Sequence, residues 1–241
     1  MTLGSKTDDF ITKVFYMAMV FLFILMHIAF HPTYLQYFPQ FQKFSWTHHL
    51  HGALMASWMM ILIVQPYLIY NNRYKTHRLI GKISYVIAPL VLISMFMITR
   101  LSYLKTVGEM PFEEVAAIQA LNFVTPLNFL LFYSLAIINK NDVFSHKRYM
   151  IATAFTISPA IFSRLMYFIF GYSIEHYAFF IAEYFGLGLL ILLLLNDLIK
   201  KVNPVPYTIV AVALCINIST IHARHTEEWQ SVVRFVGGTL F

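Results

Sequence analysis

Charge is scarce in this chain. Only 12% of its 241 residues are Asp, Glu, Lys or Arg, about half the share an ordinary soluble domain carries. Cysteine is scarcer still. Cys215 stands alone, so neither a disulfide framework nor a Cys-based zinc site can form within one chain. The balance is basic, at +6, but the basic residues sit between apolar runs and form no continuous patch. Nucleic-acid binding, which needs such a patch on a soluble domain, is excluded. The polar start MTLGSKTDDFITK precedes no small-residue cleavage site, so the first apolar run reads as a retained helix and not a removed leader. The last apolar run holds no lysine, which excludes a retinal Schiff base.

Apolar length is abundant. Hydrophobic residues make up 59% of the chain and aromatic residues 17%. Seven apolar runs cover 10–30, 48–70, 82–103, 114–138, 149–170, 176–196 and 205–223, each near the roughly twenty residues that cross a bilayer as a helix. In hydrocarbon every backbone group must be paired within the segment, so helix is the assignment for runs of this length. The expectation is an all-α polytopic membrane protein, one domain over 1–241, with lipids as its immediate partners. A homo-oligomer or a membrane complex partner stays open.

Loop charges predict the orientation. Lys6, Lys13, Arg73, Lys75, Arg78, Lys82, Lys140, Lys147, Arg148, Lys200 and Lys201 fall on one side, and Lys43, Arg100, Lys105, Arg164, Arg224 and Arg234 on the other. The richer side is expected to be cytoplasmic. The N-terminus then lies inside and the C-terminus outside. His77 and His146, next to Arg78, Lys147 and Arg148, read as an anionic-headgroup cluster at the inner face. Pro89, Pro126 and Pro159 lie inside spans, where each removes a backbone donor.

Histidine is concentrated at the opposite face. His27 and His31 end the first run, His48, His49 and His51 open the second, His176 opens the sixth, and His222 and His225 end the seventh. The pairs His27/His31, His48/His51 and His222/His225 are spaced three or four residues apart, which puts both side chains on one helix face. Neutral imidazole is the commonest protein metal ligand. Nitrogen with carboxylate oxygen suits zinc, iron or copper. If the first, second and seventh helices are neighbours, His27, His31, His48, His51, His222 and His225 form the candidate metal set. Glu183 and Arg164 lie about 8–12 Å below the same surface at 1.5 Å per residue. Gln119, Asn122 and Asn217 share that level. Ionisable groups at such depth need a partner or a wet cavity. The reading pairs Arg164 with Glu183 around an outward-open polar cavity, and makes both candidate catalytic residues, Glu183 as general base to a metal-bound water.

H-R-x-I-G at 77–81 and H-K-R-x-M at 146–150, with Pro159 and Arg164 downstream, resemble an uncharacterised group of bacterial multi-pass membrane proteins. That resemblance implies the bacterial inner membrane and names no activity. A looser similarity runs to b-type cytochromes of the b561 kind, which implies haem b between histidines of both leaflets. Three functions are therefore carried forward: a membrane metalloprotein acting on a lipid or small substrate, a haem b electron-transfer protein, and a transporter or receptor with an outward-facing cavity.

Overall fold

The computed structural model describes residues 3–171 and 175–241, with side chains over 12–171 and 177–241. Among the described residues eight α-helices follow one another: α1 Leu3–Phe30, α2 Trp46–Tyr70, α3 Tyr74–Thr106, α4 Phe112–Ile138, α5 Val143–Phe170, α6 Glu175–Ile199, α7 Val205–His222 and α8 Glu227–Leu240. Among the described residues seven of them, α1 to α7, are long and apolar enough to cross a membrane. Large apolar side chains such as Phe21, Val86, Ile93, Leu127 and Leu192 are exposed along them, as a lipid-facing surface requires. The protein is an all-α, multi-pass membrane protein.

Several helices outrun their apolar cores. α3 begins at Tyr74, so the basic stretch that reads as a loop is its first two turns. Only Asn71, Asn72 and Arg73 link it to α2, with Asn72 in the left-handed region at φ 57°. Asparagine tolerates that conformation better than most residues. No Gly or Pro interrupts 74–80. A helix of 33 residues is about 50 Å long against a hydrocarbon core of about 30 Å. α5 likewise starts six residues early, at Val143, because Asp142 caps it by accepting the Phe144 N–H at 3.0 Å.

α5 is the centre of the bundle. It packs against α1, α2, α4, α6 and α7. Its buried side includes Ala152, Thr153, Ala154, Thr156, Ser158 and Ser163, small residues that let helices approach closely where lipid supplies no hydrophobic drive. With α4 it divides the interior in two. On one side α1, α2 and α3 pack around Trp58, which is fully buried, donates its indole N–H to Thr153 Oγ1 at 3.1 Å and meets Phe129 edge-on at 5.0 Å. On the other, α6 and α7 pack around Phe132, Tyr149, Leu190 and Tyr207. α1 packs on α2 and α5, whereas α7 packs on α4, α5 and α6. The expected ring bringing α1, α2 and α7 together is thus not the arrangement, because α4 and α5 stand between the two groups.

The bundle has two unlike ends. At the basic end lie the start of α1 and the α2–α3, α4–α5 and α6–α7 links. At the histidine end lie the other links and α8. That last helix is amphipathic and lies across α4 and α3. Trp229 donates its indole N–H to the Ala116 carbonyl at 2.9 Å, Val233 is buried with Val115 and Ala116, and Phe241 meets Phe96 and Tyr103.

Candidate functional site

The histidines at the histidine end go to separate partners. His27 is exposed and donates its Nδ1–H to the Phe23 carbonyl at 2.9 Å, one turn back. His31 is also exposed. His48 is a helix cap: its Nδ1 accepts the Ser45 N–H at 3.2 Å and lies 2.9 Å from Ser45 Oγ. His49 turns the other way, 2.5 Å from the Tyr34 hydroxyl, whose titration burial pushes up. His51 points inward, its Nδ1 3.1 Å from Ser94 Oγ on α3. His222 sits 2.9 Å from the Tyr184 hydroxyl, and His225 sits 2.8 Å from Glu113 Oε2. The side chain of His176 lies outside the described residues.

His27 and His31 line one cleft, but the three pairs do not meet. His27, His31, His48 and His51 belong to the α1–α2–α3 side, His222 and His225 to the α6–α7 side. The last pair diverges because α7 ends at His222 and Ala223–His225 winds as a 3-10 turn. Among the described residues no group of three or more His, Cys, Asp or Glu side chains stands where it could hold one metal ion. A three-histidine zinc set is therefore not formed by this donor arrangement. Haem b would need two imidazoles facing across the interior. Among the histidines at the histidine end, His51 faces inward, whereas His27 and His222 are exposed.

Arg164 and Glu183 both lie within helices long and apolar enough to span, but they do not pair. Arg164 on α5 donates to the Ala160 carbonyl at 2.8 Å and stacks over the Phe30 ring of α1 at 4.4 Å. Glu183 on α6, 2% exposed, accepts from Asn217 Nδ2 on α7 at 2.9 Å. Helix α5 turns its guanidinium towards α1 and away from α6. Among the described residues the ion pairs are Arg148–Asp197, His225–Glu113 and Arg234–Glu227, and Arg164 is in none. Nor is the polar level an open cavity. Gln119 is 0% exposed and Asn217 3%. Gln119 Oε1 and Ser102 Oγ accept from Asn122, and Thr99 donates to the Asn122 carbonyl. Gln119 Nε2 and Asn217 Oδ1 are buried without a partner among the described residues.

Two clefts open above these groups. The first, about 340 Å³, is lined by His27, Ile28, His31, Pro32, Leu35 and Phe168. Phe168 is one turn beyond Arg164 on α5, and His27 and His31 flank Phe30, the ring under the guanidinium. The second, about 240 Å³, is lined by Glu113, Glu114, Tyr177, Phe180, Arg224 and His225. Phe180 is one turn above Glu183 on α6. Neither Arg164 nor Glu183 lines a cleft, but each lies about one turn from a residue that does.

No family model, no curated protein and no solved structure matches the chain. The site has to be read from its own chemistry.

Part of that chemistry escapes a reading of the sequence. Arg148 is a buried partner, not a headgroup anchor. Its Nε and Nη2 donate to both oxygens of Asp197 at 2.7 and 2.6 Å, and its guanidinium lies 3.1 Å over the Phe144 ring. His146 also turns inward, donating Nδ1–H to the Ala136 carbonyl at 2.8 Å. The signal available was Asp197 itself, an acid ending an apolar run among lysines. Nothing local says which helix supplies its partner.

Proposed function

We propose that this protein binds an anionic amphiphile in the plane of the membrane, with Arg164 as the group that receives the headgroup. The observation that carries the reading is the Arg164 guanidinium itself. It stands half-buried within a spanning helix, and no carboxylate among the described residues balances it. A charge at such depth is costly unless a counter-charge or water reaches it, and guanidinium is the side chain best matched to carboxylate and phosphate in a bidentate fashion. Arg164 makes one backbone hydrogen bond and so keeps donors to spare. His51 lies close enough to interact with it electrostatically and is oriented by Ser94. The cleft one turn above is mostly apolar, with His27 and His31 at its rim. Such a mouth suits an acyl tail entering from lipid while the headgroup reaches the cation. This is the transporter-or-receptor class of function, sited in a bacterial inner membrane as the sequence resemblance implies.

The metal-centre reading finds two imidazoles in this cleft, His27 and His31, one short of the usual three-ligand set. It also leaves the Arg164 charge without a use. For that reason the anion reading is preferred.

Electron spin resonance of purified protein in lipid tests it. A spin-labelled fatty acid should show an immobilised component that a spin-labelled phosphatidylcholine does not. Arg164→Gln should remove that component and Arg164→Lys should keep part of it. Equal immobilisation of both lipids, or no change in Arg164→Gln, would overturn the proposal. Stoichiometric zinc, iron or copper lost in a His27→Ala/His31→Ala double variant would instead restore the metal reading.

A further inference from the structure

We propose that Glu183 is a proton-binding site, loaded from the histidine end through the cleft at Glu113 and His225, and separate from the anion site at Arg164. Glu183 is an acid fully buried in the spanning part of α6. Its recorded partner is a neutral carboxamide, Asn217 Nδ2 at 2.9 Å. The helices packed against α6 are α5 and α7. On α5 at this level the charged group is Arg164, which is turned to Phe30 and Ala160. On α7 the titratable groups are Tyr207 at the basic end, Cys215, which is exposed, and His222, which is held by the Tyr184 hydroxyl. Glu183 therefore has no counter-ion among the described residues. A carboxylate in a water-poor layer needs a cation or takes up a proton, and one carboxylate with one amide offers too few oxygens to cage a metal cation.

A second observation marks the spot as a ligand site. The same Asn217 that donates to Glu183 leaves its Oδ1 buried and unpartnered. Native interiors rarely leave such an acceptor empty. A carboxyl O–H or a bridging water would satisfy it. The nearest cleft ends one turn short of Glu183, which does not line it. Tyr177, Phe180 and Glu183 recur at every third residue of α6, so they descend one side of the helix. The first two line the cleft whose rim carries Glu113 and His225, 2.8 Å apart and both well exposed. From Phe180 to Glu183 is about 4.5 Å along the axis. An exposed carboxylate–imidazole pair can take a proton from water and hold it at that mouth.

Infrared difference spectroscopy on the full chain in liposomes reads this directly. At neutral pH the wild type should show a carboxylic-acid C=O band that shifts in D2O and is absent in Glu183→Gln. Asn217→Ala should move the band without removing it, which assigns it to Glu183 even if the glutamine variant folds poorly. Glu113→Gln together with His225→Ala should slow the D2O shift several-fold. A carboxylate signal in place of the acid band would overturn the proposal in favour of a bound cation. An acid band that never exchanges in D2O would also overturn it, leaving a sealed structural group. Neither result touches the Arg164 reading, which is scored by the spin-labelled fatty acid alone.

Discussion

Arg148 and Asp197 form the strongest residue-level interaction at the basic end. Two charge-assisted bonds join them, and Asp197 is 1% exposed. A buried pair is worth little over an apolar replacement, but breaking it strands a charge. Asp197→Asn or Arg148→Met alone should cost about 3–5 kcal/mol, seen as a lower unfolding midpoint in detergent. The double variant Arg148→Met/Asp197→Leu should recover most of the loss. If the single variants unfold like wild type, the pair is not holding α5 to α6. Position along a helix is legible from residue numbers, and Glu183 and Asn217, expected at one level, meet at 2.9 Å. Direction across the bundle is not legible. Pairing Arg148 with Asp197, or parting Arg164 from Glu183, depends on how each helix is rotated about its axis, and a nearly all-apolar helix carries little signal for that.

At the scale of elements, helix ends separate what is legible from what is not. The apolar cores are legible from composition. The extensions of α3 and α5 are not, because hydropathy marks the lipid boundary and capping marks the helix boundary. Asp142 is such a cap. Hydrogen bonds from Ser145 and Phe144 hold its carboxyl below the usual carboxylate range. Its charge therefore stabilises α5 above the unfolded value of about 3.9, and that contribution is lost as pH falls through the lower folded value. Amide exchange in the first turn of α5 should differ between wild type and Asp142→Asn near neutrality and converge in acid. A constant difference would show that the charge is not involved. α8 offers a steric counterpart. A Cβ at Gly237 would overlap the buried Tyr103 ring, so Gly237→Ala should loosen α8 from α3. Faster amide exchange across 229–240 checks this, and Tyr103→Val in the same chain should restore protection. Unchanged exchange in Gly237→Ala would mean that the Tyr103 ring moves aside at no cost.

For the whole molecule the decisive property is which end faces the cytoplasm, because both clefts open at the histidine end. The fold sharpens the charge argument. Arg148 is bound to Asp197 inside the bundle and Arg164 is stacked on the Phe30 ring of α1 within α5, so neither counts as a loop charge. Removing one from each side leaves ten Lys and Arg at the basic end against five at the histidine end, and the asymmetry grows in proportion. Flanking positive charge sets orientation, so the clefts should face outward. Cys215 is the lone cysteine and is exposed on α7, so a Cys215→Ala background accepts single reporters. Asn141 and Glu228 are exposed at opposite ends. In intact cells a membrane-impermeant maleimide should label Glu228→Cys and spare Asn141→Cys until the cells are opened. The reverse pattern would put Arg164 and Glu183 within reach of the cytoplasm. The amphiphile would then come from the inner leaflet and the proton from inside, and neither site would need any change in its chemistry.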